Sequence, residues 1–202
     1  MKKLCILLLS VMVSGASFAQ GGDSGSKVKF GIKAGVNFAS MTFSSSGISV
    51  SPESVTSFHV GGLVDYSFSE KLSLQPGLML SGKGFEIEGG GMDISTNLMY
   101  LEVPVNVVYK VGGLYFGAGP YAAFGLSGKI KAEGEDDEDV KFGNGDDELK
   151  GTDFGLNFLA GYQLTNGLNF GAGYGLGLSN LSNDGDAKTK NKVFSISVGF
   201  SF

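Results

Sequence analysis

His59 is the only histidine in this 202-residue chain, so it is the natural place to look for general acid–base chemistry. Asp65 would share its face of an extended strand, but six residues of strand separate the two by roughly 20 Å. That is out of hydrogen-bond reach, and a partner for His59 would have to come from another strand. Packing in an interior or at an interface is the simpler expectation for it. A second set, Lys29, Lys33, Glu102, Asn106 and Lys110, falls on the polar side of strongly alternating stretches, together with Asn37, Gln75, Tyr100 and Asn157. Charges gathered inside a narrow fold must be paired or hydrated, so Glu102 is expected to pair with one or more of these lysines. The same residues could instead line a narrow ion path. A third set is acidic: Glu133, Glu135, Asp136, Asp137, Glu138, Asp139, Asp146, Asp147 and Glu148, against Lys131, Lys141 and Lys150. It lacks the Asp-x-Asp-x-Asp-Gly register of a calcium loop. It reads as a solvated, self-repelling loop, with weak cation binding or recognition of a basic partner as the sharper alternative. Gly117-x-Gly119-x-x-Ala122 matches a relaxed dinucleotide fingerprint. That motif needs a helix to open at its end, whereas apolar alternation continues here through Phe124 and Leu126.

The elements that must position these residues are strands of period two. Val28, Phe30, Ile32, Ala34, Val36 and Phe38 alternate with Lys29, Gly31, Lys33, Gly35 and Asn37. The same pattern predicts strands over 58–68, 71–85, 97–110, 114–130, 153–164 and 168–178. Ser69-Glu70, Gly112-Gly113 and Thr165-Asn166-Gly167 are tight turns between them. Parity changes near Gly82 and Gly84, where Phe85 and Ile87 become the apolar positions, and this predicts a bulge. The last stretch, 193–202, sets Phe194, Ile196, Val198, Phe200 and Phe202 against Ser195, Ser197, Gly199 and Ser201. Apolar residues towards lipid, small polar ones towards a lumen and aromatics at the interface are what a transmembrane strand requires.

The prediction is therefore an all-β fold, an eight-stranded antiparallel transmembrane up-and-down β-barrel. Its connections alternate long and short, as outer-membrane barrels do, with the long ones extracellular and both termini periplasmic. Closure removes the edge strands that lipid cannot satisfy. A soluble barrel with the apolar faces turned inward is disfavoured. Its outer face would be mostly Gly and Ser, and its core would be crowded with Phe and Tyr. The frequent glycines leave room in a narrow barrel for Tyr and other bulky interior residues.

Met1 to Ala19 reads as a cleaved signal peptide, with Lys2 and Lys3 ahead of the apolar run 4–13 and Ser17-Phe18-Ala19 as the cleavage site. The mature barrel domain is then 20–202. The single cysteine, Cys5, lies within the signal, so disulfides play no part. Removing Lys2 and Lys3 takes the formal charge from −5 to −7, and the chain has no arginine, which argues against nucleic-acid binding.

Tyr100-Leu101-Glu102-Val103-Pro104-Val105 resembles the "YLE-hydrophobic-P" strand of the small outer-membrane β-barrel family common in Bacteroidota, the porin-family or PorT-like barrels. Lys33-Ala34-Gly35-Val36-Asn37, Gln75-Pro76-Gly77-Leu78, Gly117-Ala118-Gly119-Pro120-Tyr121 and the terminal Phe202 carry the same resemblance over nearly all of the mature chain. It implies an eight-stranded outer-membrane barrel. Most members of that family have no established activity, and some are linked to type IX secretion and gliding. The resulting expectation is a monomeric, non-enzymatic outer-membrane protein without cofactor, serving envelope structure or surface interaction through its extracellular loops. Its expected partners are outer-membrane lipid, the barrel-assembly machinery during insertion and an extracellular or envelope protein. A narrow porin-like channel is the alternative, with a type IX secretion component or a membrane enzyme as further ones.

Overall fold

The computed structural model describes residues 27–45, 48–87, 94–132, 134, 136–145, 148–184 and 187–202. The expected signal peptide lies outside them. Ten strands form in chain order: β1 (Val28–Ser45), β2 (Ile48–Val50), β3 (Val55–Ser67), β4 (Leu72–Ile87), β5 (Ile94–Val111), β6 (Leu114–Ala132), β7 (Glu138–Asp139), β8 (Thr152–Gln163), β9 (Leu168–Gly177) and β10 (Ala187–Ser201). All strand pairs are antiparallel, and β10 pairs with β1 from Gly31↔Ser201 to Ser45↔Ala187, closing the sheet. The ring contains eight strands. The short β2 and β7 are ornaments, hairpinned onto β1 and β6 beyond the barrel wall.

Side-chain parity decides which way the wall faces. On β1 the even positions from Val28 to Phe38 are exposed, while Gly31, Asn37, Ala39 and Met41 are buried. The same inversion holds at Phe194, Ile196, Val198 and Phe200 on β10, and at Phe116 and Phe124 on β6. From Val28 to Phe38 is ten steps, about 34 Å of strand. Tilted by about 40° it covers about 26 Å of height, the height of an outer-membrane apolar band. Rings mark both rims. Phe38 and Phe194 stack at 6.3 Å at one end; Tyr66–Phe68 and Phe200–Phe202 meet edge-on at 5.2 and 5.1 Å at the other. The apolar surface exposed on this wall is lipid surface, and the sheet is a membrane-spanning barrel.

The short turns lie at the Tyr66–Phe68 rim. Gly112 and Gly113, with φ of 56° and 86°, make the two-residue hairpin between β5 and β6 that only positive φ allows. Gly167, at φ 91°, closes the β8–β9 turn, where the Leu168 amide donates to Asn166 Oδ1 at 3.1 Å.

Two expectations change. Strands at the opposite rim run further than their alternation suggests: β1 continues from Phe38 to Ser45, and β10 already begins at Ala187. Amphipathic alternation reports contact with lipid and stops where lipid stops, whereas the hydrogen-bonded ladder continues into water. The expected irregularity at Gly82–Gly84 is one-sided: β4 keeps one register with β5 from Leu72↔Tyr109 to Ile87↔Ile94, whereas its pairing with β3 ends at His59↔Ser81 and the bridge Glu53↔Glu86 beyond is one residue out of that register. Phe85 has the same parity as Lys83. What changes there is the filling of the barrel, from polar below to apolar above. A second register shift lies between β5 and β6 at Met99/Tyr100, where Leu126 is the unpaired residue.

Candidate functional site: a layered barrel interior

From the extracellular rim downwards, the interior begins with an apolar cap. Met41, Leu98, Tyr100, Tyr121, Ala123 and Leu181 are buried together, and Phe43, Phe85, Val140, Phe142 and Leu149 pack on them. The last three belong to the connection that carries the acidic run. Asp136, Asp137, Glu138, Asp139 and Lys141 face water, while Val140, Phe142 and Leu149 turn into the barrel mouth. Phe142 meets Tyr100 edge-on at 5.6 Å, and Phe43 meets Phe85 at 5.0 Å. Backbone bonds fasten the loop: Val140 N to Gly128 O at 2.9 Å, Gly125 N to Gly151 O at 2.7 Å and Lys150 N to Leu181 O at 2.9 Å. Asn183 Nδ2 donates to the carbonyls of Gly143, Gly145 and Glu148. Gly125 is where Phe142 lies against the wall; a Cβ there would come within 2.7 Å of the ring.

Beneath the cap lies a buried charge cluster. Lys83 Nζ is 3.0 Å from both Glu102 Oε2 and Asp153 Oδ2, and Lys83 and Asp153 are 2% and 0% exposed. Tyr121 Oη and Asn191 Nδ2 donate to Asp153 Oδ2 at 3.1 and 2.9 Å, and Ser179 Oγ donates to Oδ1 at 2.9 Å. Asn157 Nδ2 donates to Glu102 Oε1 at 3.2 Å. The Lys83 ammonium also sits 4.2 Å from the centre of the Tyr121 ring, a cation–π contact. One ammonium thus answers two carboxylates, and the carboxylate lone pairs are taken up by neutral donors, which is what a buried ionic cluster needs to hold together.

The lower interior is wetter. Asn37 Nδ2 donates to Gly82 O at 2.8 Å and to Ser81 Oγ at 3.2 Å, while its Oδ1 lies 2.8 Å from His59 Nδ1. With the Asn37 amide so oriented, its oxygen accepts from a protonated Nδ1 and leaves Nε2 as a bare acceptor. Neither Nε2 nor the buried Asn106 Oδ1 has a hydrogen-bond partner among the described residues. Both residues line a cavity of about 120 Å³ together with Lys33, Glu102 and Tyr115, polar enough to hold water. Nearest the periplasm, Lys110 pairs with Asp65, which also accepts from Gln75 Nε2 at 2.5 Å.

Of the residues singled out in the sequence, Glu102, Asn106, Lys33 and Lys110 do line this interior. The cation in contact with Glu102 is Lys83, however, and not Lys29, Lys33 or Lys110. Lys110 is taken by Asp65, Lys29 is exposed at the periplasmic mouth, and Lys33 sits within electrostatic range of Glu102 without touching it. Lys83 and Asp153 were not among the expected interior residues. The parity of Lys83 with Gln75 and Ser81 was the available signal, obscured by the apolar Phe85 beyond it. In the acidic run, Asp137 pairs with Lys129 at 3.2 Å, Glu138 and Asp139 form β7, and Glu148 accepts from the Gly145 amide at 2.9 Å. Asp136 is exposed, and Glu135, Asp146 and Asp147 lie outside the described residues. Among the described residues no three His, Cys, Asp or Glu groups converge as a metal site. Gly117 to Ala122 lie inside β6, and no helix follows them.

A sequence-family model, the outer membrane protein beta-barrel domain, matches residues 18–183. No curated protein matches the chain. Among solved structures, Neisserial surface protein A is similar at 17% identity and a TM-score of 0.50, over 86% of this chain and 97% of that one. Ail, the attachment invasion locus protein of Yersinia pestis, is similar at 16% identity and a TM-score of 0.46, over 88% and 100%. The outer membrane protein OprG from Pseudomonas aeruginosa is similar at 16% identity and a TM-score of 0.35, over 90% and 99%.

Proposed function

This chain belongs to the outer membrane protein β-barrel domain family, and we propose that within it the protein has a non-enzymatic role in envelope structure or surface interaction, working through its extracellular face with its interior closed. The observation that carries this reading is the stacking of two seals. The Lys83–Glu102–Asp153 cluster crosses the interior, and above it Phe142, Leu149 and Leu181 fill the mouth. An ion would have to displace a buried, fully partnered charge cluster and then an apolar plug. Asn37 orients the His59 ring, yet no acid, base or hydroxyl meets its second nitrogen among the described residues.

The test is planar-bilayer conductance of the refolded mature protein, with folding checked by heat-modifiable gel migration. A folded, electrically silent barrel is expected. Discrete, ion-selective steps would overturn the closed reading and favour the second one, a narrow channel, whose support is the polar cavity below the cluster and the open periplasmic mouth. A secretion-associated, PorT-like role rests on the strand motifs of the sequence alone. The protein is proposed to be a monomer inserted by the barrel-assembly machinery.

A further inference from the structure

The outer wall carries one cationic feature that neither seal uses. On β10 the even positions face outward, and above the lipid-facing Phe194 they are Lys192, Lys190 and Lys188. Each is registered against a hydroxyl on β1: Ser40↔Lys192, Thr42↔Lys190 and Ser44↔Lys188. Successive lysines are about 7 Å apart along the strand, or about 5 Å in height at a tilt of about 40°. They therefore stand about 5, 10 and 16 Å above the Phe38–Phe194 ring pair that marks the rim of the apolar band. The polar headgroup layer of a leaflet begins at that rim and is several ångströms deep. The backbone of Lys192 is thus at headgroup level and those of Lys190 and Lys188 stand above it, with flexible apolar stems that let their ammoniums reach down towards the layer.

No carboxylate of the described residues is within ion-pair distance of any of the three. Lys129, the outward cation of the β6 wall, is by contrast answered by Asp137 at 3.2 Å. Elsewhere around the rim the first outward residue above the band is neutral on four strands: Thr56 on β3, Asn97 on β5, Ser127 on β6 and Thr152 on β8. Three ammoniums, each registered beside a hydroxyl on the neighbouring strand of a rigid ladder, complement the phosphate oxygens of an anionic headgroup. We infer that the β1–β10 wall at Lys188, Lys190 and Lys192 is a binding strip for the phosphate group of an anionic lipid in the outer leaflet.

The test uses the folded full barrel in neutral detergent, titrated with a phosphatidylglycerol and, separately, a phosphatidylcholine of the same chains, with adducts read by native mass spectrometry. Each surface lysine contributes about fivefold to anionic-lipid affinity. The preference for phosphatidylglycerol should then fall about fivefold in Lys190→Gln and about 100-fold when all three lysines become glutamine. Replacing all three by arginine should retain it. The single Lys190→Gln variant changes one partly exposed side chain outside the interior, so the test stands even if the triple variant fails to fold. Unchanged preference in Lys190→Gln overturns the inference. So does displacement of the lipid by inorganic phosphate, which would mark a site for free anions. A lysine-dependent dimer in place of lipid adducts would overturn it too, by assigning the strip to a second copy of the chain.

Discussion

Replacing Lys83 by methionine should destabilise this barrel more than neutralising either of its carboxylate partners. Methionine matches the length of the lysine stem but leaves Glu102 and Asp153 facing each other across the space the ammonium filled, both within 3.0 Å of its former position. Stripping the partner from a buried charge costs about 3–5 kcal/mol. That is a large part of the roughly 5–15 kcal/mol that folded domains possess. Glu102→Gln leaves Lys83 paired with Asp153 and removes one charge-assisted bond, a loss of about 1.5 kcal/mol. Asp153→Asn falls between the two: Lys83 keeps Glu102, but Tyr121, Asn191 and Ser179 lose their ionised acceptor. The expected order of damage is Lys83→Met, then Asp153→Asn, then Glu102→Gln. Combining Lys83→Met with both amides should recover much of the loss, because the buried like charges are then gone. The assay is urea unfolding of the protein refolded into neutral lipid vesicles, followed by far-ultraviolet circular dichroism, since the chain has no tryptophan. If Lys83→Met proves no worse than Glu102→Gln, water reaches the cluster well enough to replace the ammonium, and the lower seal is not dry.

Three further outcomes follow from the same geometry. Phe142→Ala removes the ring that packs on Tyr100 in the cap, so trypsin should cut the wild-type loop at Lys141 or Lys150 more slowly than the variant; equal rates would mean the loop is not docked. A Cβ at Gly171 would strike the hydroxyl of Tyr115 at 2.4 Å and press more lightly on Ala160 O at 3.2 Å; that hydroxyl donates to Phe170 O at 3.3 Å, so Gly171→Ala should cost about 1 kcal/mol in the wild type and clearly less in a Tyr115→Phe background. At Gly161 the obstacle includes the Phe170 carbonyl itself, so Gly161→Ala should block refolding, as judged by gel shift, with or without Tyr115→Phe.

Much of this protein is legible in one dimension because a bilayer imposes a one-dimensional rule. Each lipid-facing position must be apolar, and consecutive strand residues alternate faces, so parity along 28–38 or 194–202 states the fold, its inside-out polarity and its place in the outer membrane. The short turns at Gly112–Gly113 and Gly167 are equally local, because the positive φ of those reversals selects glycine. Interior partners obey no such rule. Lys83 and Asp153 are 70 positions apart and meet because strand tilt and the β5–β6 register shift set which residues share a height. Glu102 could be recognised as needing a cation, but not which of the interior lysines would supply it. The acidic run advertises solvent, and only the closed barrel shows that Val140, Phe142 and Leu149 within it complete an apolar core begun by Met41 and Leu98. Alternation is enforced residue by residue by lipid, whereas pairing across the interior depends on the relative displacement of strands, a quantity that exists only once the sheet has closed.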